Sequence, residues 1–294
     1  MDSMPLAPDD SNVLTVRAPA QRLVPLVFAS PHSGREYPAD FVAASRLDAH
    51  GLRRSEDSFV DELFASAPRF GAPLLAARFP RAFCDPNREA YELDPSMFSG
   101  PLPQYANTRS PRVAAGLGTI AKVVATGAEI YRTKLPLSEI ERRVSQYYRP
   151  YHGRLQALLD ESRALFGWSV LVDCHSMPAI GGPMDRDVGL SRVDVVLGDC
   201  FGASCAPVIT QVAEDAFKAR GYRVVRNTPY AGGYTTRHYG KPRNGSHALQ
   251  IELNRGLYMN EEAHTKTGGF DRLAGDIEGV VAALAELVGE RIVP

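Results

Sequence analysis

Two histidines each follow directly after a short apolar run, within tight turns of small residues and proline. His32 lies in "FASPHSG", residues 28–34, and His175 lies in "VLVDCHSMP", residues 170–178. An imidazole in this position can bind a divalent metal through one ring nitrogen while a carboxylate on the other nitrogen orients the ring. Asp173 lies two residues before His175, on the same side of a predicted strand. A surface-loop histidine is the alternative for His32 alone, but the repeated pattern favours one shared metal site.

A hydrolytic metal site needs a third protein ligand and one open coordination position for water. The segment "RRSEDSF" supplies two candidates, Glu56 and Asp57, shortly after His32. Acidic residues are also favoured in the first turn of a helix without any metal, so the residue pattern leaves the third ligand open. Two imidazoles and a carboxylate suit zinc, but also cobalt, manganese or iron.

A polar strand face carries a candidate group for proton transfer. In "HALQIELN", residues 247–254, apolar residues alternate with Gln250, Glu252 and Asn254. Polar side chains in such an apolar strand are costly unless they face water or a site. An edge strand with a solvent face is the alternative, but the short, strongly apolar strand favours a site wall, with Glu252 as general acid and base. His247 and Asn254, at the two ends of the strand, are then predicted to contact substrate.

Two loops are predicted to bind an anionic substrate. "RAFCDPNREAYELDP" carries Asn87, Arg88 and two further charged residues within eight positions, and arginine forks bind carboxylates in a bidentate way. The loop "NTPYAGGYTTRHYGKP" would let backbone approach a ligand at Gly233, with Arg237 as a polar contact. Surface ion pairs and a plain hairpin are the structural alternatives. The chain has neither a GxGxxG nor a phosphate-loop motif, so nucleotide binding has no support.

These residues need a scaffold of strands and helices that brings them together. Apolar runs predict six strands, and amphipathic patterns predict helices between them. Strands that alternate with helices indicate an α/β fold, a single domain with a mixed, mostly parallel sheet and helices on both faces. Such sheets bind ligands beyond the carboxyl ends of their strands, where both histidines are expected. The predicted strands are 23–30, 72–79, 168–174, 193–198, 222–227 and 247–254, and the predicted helices are 55–70, 137–167, 207–221 and 269–290.

Composition limits the possible partners. Residues 1–21 are predicted to be a loose N-terminal tail, and residues 22–294 a single domain. A net charge of −1 favours neither nucleic acid nor an anionic membrane, and no segment reads as a signal peptide or a membrane span. Four cysteines without CxxC spacing indicate reduced thiols in the cytoplasm. We therefore expect a small-molecule substrate with carboxylates, while oligomeric state is not predicted.

Six blocks of the sequence, taken in order, resemble the N-formylglutamate amidohydrolase family. They are "SPHSGREYP", "RRSEDSFVDELF", "FPRAFCDPNR", "VDCHSMP", "TPYAGGYTTRHYGKP" and "HALQIELNRGLYM", from about residue 26 to residue 260. The resemblance implies a metal-dependent hydrolase, with zinc as the expected metal. It also implies an α/β fold related to zinc carboxypeptidases and to muramoyl-alanine amidases. The implied reaction converts N-formyl-L-glutamate to formate and L-glutamate, the last step of one route of histidine degradation.

The resemblance also implies roles for individual residues. His32 and His175 would bind the metal, with Asp57 as the preferred third ligand and Glu56 as the alternative. Glu252 would be catalytic. Asn87, Arg88 and Arg237 would contact substrate, and an arginine such as Arg88 would help stabilise the oxyanion.

Two other functions stay open: hydrolysis of a different N-acyl amino acid or peptide-like amide, and a metal-bound protein that captures carboxylates without turnover. Glu252 argues against the second, because a binding protein needs no base beside its metal.

Overall fold

Four parallel strands form the centre of an eight-stranded sheet in the computed structural model, which describes residues 10–11, 13–183, 185 and 187–289. The sheet order is β1-β2-β4-β3-β5-β8-β6-β7, with parallel pairing throughout β4-β3-β5-β8 and between β6 and β7. The β1–β2, β2–β4 and β6–β8 pairs are antiparallel. The strands are β1 Asp10–Ser11, β2 Leu14–Arg17, β3 Leu26–Ser30, β4 Leu74–Ala77, β5 Ser169–Met177, β6 Val195–Gly198, β7 Val224–Arg226 and β8 Ser246–Asn254. A separate two-stranded ribbon joins β9 Met259–Asn260 to β10 Thr265–Lys266.

Helices cover both faces of this sheet, which confirms the predicted fold class. On one face α3, α7 and α9 pack against side chains such as Phe28, Val172 and Ile251. On the other face α1, α2, α5 and α6 pack with Val27 and Leu171. Both β5 and β8 are buried along their whole length, because a strand covered on both sides has no solvent face. The helices are α1 Ala39–Ala44, α2 Ala49–Arg53, α3 Val60–Leu63, α4 Pro111–Ala114, α5 Ser138–Arg143, α6 Arg149–Phe166, α7 Pro207–Lys218, α8 Tyr234–Tyr239 and α9 Gly269–Gly289.

All six predicted strands are present, with ends that differ by a few residues. The prediction of a loose segment over residues 1–21 is wrong for its later part, because β2 pairs with β4 and buries Leu14 at the edge of the sheet. Because β2 has only four residues, its alternation of apolar and polar residues is too short to identify a strand from the sequence. Residues 1–9 lie outside the described residues.

One predicted helix differs from the structure and another agrees with it. The segment 55–70 contains only the short α3 and a 3₁₀ turn, because Phe59 has a left-handed backbone with φ of 67° and ends any helix from Ser55. The long segment 137–167 stays continuous through Pro150, since a π-helical stretch at Val144–Tyr148 links α5 to α6. Within the described residues, no helix combines the length and the apolar character that spanning a bilayer requires.

Candidate metal centre and active site

The register of three neighbouring parallel strands brings the predicted site residues together. In this register His175 on β5 lies beside Glu252 on β8, and Asp173 lies beside Gln250. The strand on the other side of β5 is β3, whose end at Ser30 is followed by the turn that carries His32. Because all three strands are parallel, their carboxyl ends open at one edge of the sheet.

Two histidines and one aspartate converge at this edge, and all three side chains are buried. His175 Nδ1 lies 3.1 Å from His32 Nδ1 and 3.1 Å from Asp57 Oδ2, and His32 Nδ1 lies 3.4 Å from the same oxygen. Ligands bonded at about 2.0–2.1 Å to a tetrahedral ion are separated by about 3.3 Å. The three atoms are therefore spaced as the protein ligands of one tetrahedral metal ion would be.

A carboxylate lies beside the outer nitrogen of each imidazole, through a hydrogen bond at His32 and through an ion-pair contact at His175. Asp85 Oδ1 lies 2.7 Å from His32 Nε2, and Asp173 Oδ1 lies 3.0 Å from His175 Nε2. In the neutral rings these contacts favour a proton on Nε2, which makes both Nδ1 atoms, facing each other, available for a metal. Although burial alone would lower it, the pKa of His175 is raised well above its usual range by Asp173 and Asp57. His175 therefore holds a second ring proton tightly when no metal is bound, and a divalent cation at Nδ1 would replace that proton.

Asp57 is fixed by groups on its other oxygen and by its backbone. Arg255 Nη2 donates to Asp57 Oδ1 at 2.8 Å, Arg81 Nη1 lies 3.9 Å from that oxygen, and the Asp57 amide donates to the His32 carbonyl at 3.0 Å. Burial alone would favour the protonated acid, but hydrogen bonds to His175 and His32 hold the pKa of Asp57 well below its usual range. The carboxylate is thus charged and presents Oδ2 to the histidines.

Glu56 is equally buried but takes part in a different network. Its carboxylate accepts hydrogen bonds from the Tyr37 hydroxyl at 2.7 Å, the Ser58 hydroxyl at 2.8 Å and Arg53 Nη2 at 3.0 Å. These three donors satisfy the charge away from the histidines. Of the two adjacent acids, only Asp57 belongs to the convergent group.

A cavity of about 150 Å³ opens onto the three convergent residues, and Glu252 forms part of its wall. Gln250 Nε2 donates to Glu252 Oε1 at 2.8 Å, and Gln250 Oε1 accepts from the Gly233 amide at 2.7 Å. Burial raises the pKa of Glu252 to about 7. A carboxyl group that titrates near neutral pH is suited to both accept and donate a proton. The wall therefore places a candidate general base beside the candidate metal ligands.

Asn87, Arg88 and Gly233 also line this cavity. Asn87 Nδ2 lies 3.4 Å from His175 Nε2, and its Oδ1 accepts from the Thr235 amide at 2.9 Å. A Cβ at Gly233 would lie 2.2 Å from Asn87 Oδ1, so a larger residue there would displace the Asn87 side chain. Arg88 is buried and donates to the carbonyl oxygens of Leu117 and Asn87, both at 2.7 Å.

Three predicted substrate contacts lie outside the cavity. Arg237 is exposed on α8 and faces a separate groove, where it donates to the Gly232 carbonyl at 2.9 Å. His247 lies at the opposite end of β8 and contacts the Trp168 ring. Asn254 has the correct strand face, but its side chain binds backbone groups at the end of the strand, among them the Gly256 amide. The structure does not bring these three side chains into the cavity, and their roles as substrate contacts stay predictions.

Residues 24–259 match the family model for N-formylglutamate amidohydrolase. The chain belongs to this family. It is 31% identical over 244 residues to N-formylglutamate deformylase of Pseudomonas putida, which covers 82% of this chain and 84% of the relative. The corresponding Pseudomonas aeruginosa protein is 32% identical over the same length and coverage. The crystal structure of N-formylglutamate amidohydrolase from Ralstonia eutropha JMP134 aligns with a TM-score of 0.88 and 36% identity, covering 95% of this chain and 99% of that one.

The region matched to the N-formylglutamate amidohydrolase family contains the whole candidate site, from His32 to Arg255. A gene product of Agrobacterium tumefaciens with 21% identity and a TM-score of 0.65 shares the fold. The cavity-lining side chains that the sequence did not point to include Arg112 and Tyr230. Arg255, which binds Asp57, was also not predicted as a site residue. It follows directly after the strand that carries Glu252, and a polar residue at that end of a strand could have indicated the site. Arg112 lies on the four-residue α4 and gave no such signal.

Proposed function

We propose that the protein hydrolyses N-formyl-L-glutamate to formate and L-glutamate and that the reaction depends on a divalent metal, zinc, held by His32, Asp57 and His175. The observation that carries the proposal is the convergence of these three ligand atoms within 3.4 Å of one another on a cavity that Glu252 also lines. Proteins named N-formylglutamate deformylase are the curated relatives of this chain. That substrate is the one the family resemblance implies.

The donor set fits zinc by its chemistry as well as by its spacing. Two imidazole nitrogens and one carboxylate oxygen are the type of ligand set found in zinc hydrolases that keep a coordination position open. When bound, zinc lowers the pKa of a coordinated water toward neutrality and polarises a carbonyl oxygen. Asp85 and Asp173 hold the two rings in the orientation that this binding needs.

The residues of the cavity divide the remaining tasks. Glu252 takes a proton from the water that attacks the formyl carbon and returns it to the departing amine. The amide of Asn87 orients the substrate beside His175, and arginines of the cavity bind its carboxylates. A small cavity favours formyl, the smallest acyl group, because larger acyl chains would meet the wall.

The deciding experiment measures formate release and metal content together. Purified protein is treated with a chelator, assayed with N-formyl-L-glutamate, and assayed again after zinc is added. N-acetyl-L-glutamate and N-formyl-L-aspartate are tested in parallel. We expect release that requires zinc and that is restricted to the first substrate.

Two neighbouring acids provide matched variants for the metal site. Asp57→Asn should lose both bound zinc and activity, whereas Glu56→Gln should keep both, because Glu56 binds Tyr37, Ser58 and Arg53 instead. Retention of zinc in Asp57→Asn would refute the ligand assignment. Zinc bound in stoichiometric amount without formate release would shift the assignment to another N-acyl amino acid or to carboxylate binding alone. Activity that survives complete removal of metal would refute the metal dependence.

We assign the reaction to histidine degradation, and the protein to the cytoplasm, on the family resemblance and the cysteine pattern. All four cysteines are free in the structure, and three of them are buried. Both assignments stay predictions.

A further inference from the structure

A second chamber of about 150 Å³ adjoins the cavity of the candidate metal site. The two spaces share Arg81, Arg88, Arg112 and Tyr230 as lining residues. The second chamber lacks all three candidate metal ligands, and Ala82, Leu117, Ala121 and Val123 contribute apolar walls. A space with apolar walls, and with guanidinium groups where it adjoins the metal cavity, has the character of a site for an alkyl chain that ends in a carboxylate.

Arg112 differs from the other cationic side chains in this region. Arg81 Nη2 donates to Asp85 Oδ2 at 2.9 Å, Arg255 binds Asp57, and Arg88 donates to two backbone carbonyls. Across the part of the chain that the structure describes, no carboxylate lies within 4.0 Å of the Arg112 guanidinium. Its half-buried side chain therefore has no ion-pair partner among the described residues, and Asp85 and Glu92 act on its charge only from a longer distance.

The acids that line the second chamber are already paired. Asp85 binds His32 and Arg81, and Asp185 lies 2.7 Å from Arg192 Nη2. An incoming carboxylate would thus find Arg112 without competition from these side chains. Because Arg112 is half-buried, part of its hydration shell is already removed before a ligand binds. The lower local dielectric constant strengthens its attraction for an anion.

The backbone fixes Arg112 relative to the metal cavity. The Arg112 carbonyl accepts from the Leu117 amide at 2.8 Å, and the Leu117 carbonyl accepts from Arg88 Nε at 2.7 Å. One turn therefore holds both guanidinium-bearing residues. The Ser110 hydroxyl caps the same turn by accepting from the Val113 amide at 3.0 Å. A pre-formed position reduces the entropy cost of binding a ligand.

We propose that Arg112 binds the side-chain carboxylate of the substrate and that the second chamber holds the two methylene groups of the same substrate side chain. This inference rests on the proposed function, since it divides the parts of one substrate between two adjoining spaces. The formyl group belongs at the metal cavity. Arg81 lies 3.9 Å from Asp57 and so is close enough to the candidate metal ligands to meet the α-carboxylate, which is attached next to the scissile amide. Arg112 contacts none of the candidate ligands and suits the more distant carboxylate.

The test compares two substrates in matched arginine variants. N-formyl-L-glutamine keeps the shape of N-formyl-L-glutamate but replaces the side-chain carboxylate by a neutral amide. The measured quantity is kcat/KM for N-formyl-L-glutamate divided by kcat/KM for N-formyl-L-glutamine. Arg112→Ala should lower this ratio by roughly 10- to 100-fold, which is the usual contribution of a hydrogen bond to a charged group. Arg112→Lys should recover part of the ratio through its charge. Arg109→Ala removes an exposed arginine of the same segment and should leave the ratio unchanged.

A binding measurement separates this inference from the proposed function. Calorimetry of the chelated proteins with glutarate and with butyrate compares two carboxylates with one, without turnover and without metal. Weaker glutarate binding in Arg112→Ala, with butyrate unaffected, supports the inference even where no formate is released. A folded Arg112→Ala variant that keeps the wild-type substrate ratio overturns it. So does an equal loss on both formyl substrates, which would place Arg112 at the α-carboxylate.

Discussion

Acidification is expected to destabilise the folded chain through His152, which lies on α6 beneath the loop of Asp85 and Asn87. Its Nε2 lies 2.8 Å from the Pro86 carbonyl, and its Nδ1 lies 2.7 Å from the Tyr239 hydroxyl. Burial lowers the pKa of this imidazole from 6.5 to about 4 and outweighs the Pro86 carbonyl, which acts in the opposite direction. The folded state thus keeps His152 neutral in a range where an unfolded histidine is charged.

The pKa difference fixes the direction and the size of the effect. Because the folded pKa is the lower one, the unfolded chain takes up a proton first as the pH falls. The stability that neutral His152 contributes is complete above about pH 6.5 and is lost as the pH falls toward about 4. One pKa unit corresponds to about 1.4 kcal/mol, so His152 should remove about 2 kcal/mol of unfolding free energy between roughly pH 7.5 and pH 5.

Urea unfolding of chelated wild type and His152→Gln at several pH values measures this contribution. Glutamine keeps an N–H donor but cannot take up the proton, so the difference in unfolding free energy between the two proteins should shrink as the pH falls. The carboxyl groups titrate alike in both proteins and cancel in the difference. His50→Gln, at an exposed position on α2, serves as the control. A wild-type minus His152→Gln difference that does not vary with pH would refute the reasoning.

Three further predictions concern the candidate site. Asp85→Asn should weaken zinc binding by about 10- to 100-fold in a chelator competition, because the His32 ring loses the carboxylate that orients it; an unchanged affinity would contradict this. Glu252→Gln should lower kcat for formate release by about 10²- to 10⁴-fold while zinc content stays the same, and a fall in zinc content would instead make Glu252 a ligand. Gly233→Ala should lower kcat/KM, because the new Cβ displaces Asn87, whereas Gly153→Ala on α6, where no atom lies within 4 Å, should leave kcat/KM intact.

Periodicity in the sequence was sufficient to predict the core strands and hence the place of the site. Runs such as residues 168–174 are long and strongly apolar, and a parallel arrangement brings the ends of such strands to one edge. His32 and His175 could therefore be nominated together. The alternation along β8 correctly placed Gln250 and Glu252 on one face. It also placed Asn254 on that face, but alternation does not show that the side chain binds backbone groups where the strand ends.

Other features depend on contacts that local sequence does not encode. Glu56 and Asp57 are adjacent acids in the same turn, and their different roles follow from distant partners, Tyr37 for one and Arg255 for the other. Arg112 belongs to the long segment between β4 and β5, which contains no strand in the described structure and only short helices before α5 and α6. Its position depends on turns and backbone hydrogen bonds, for which apolar periodicity gives no signal.

The separation of the candidate ligands along the chain has a consequence for folding kinetics. Asp57 and His175 are 118 residues apart, and His32 and His175 are 143 residues apart, yet each pair meets within 3.1 Å. An unfolded chain seldom closes such loops, so it presents no assembled chelate, and the three ligands come together only when β3 and β5 have paired. A bound metal would then act on the native side of the folding barrier. It should slow unfolding and lengthen the lifetime of the native state while leaving the rate of folding almost unchanged.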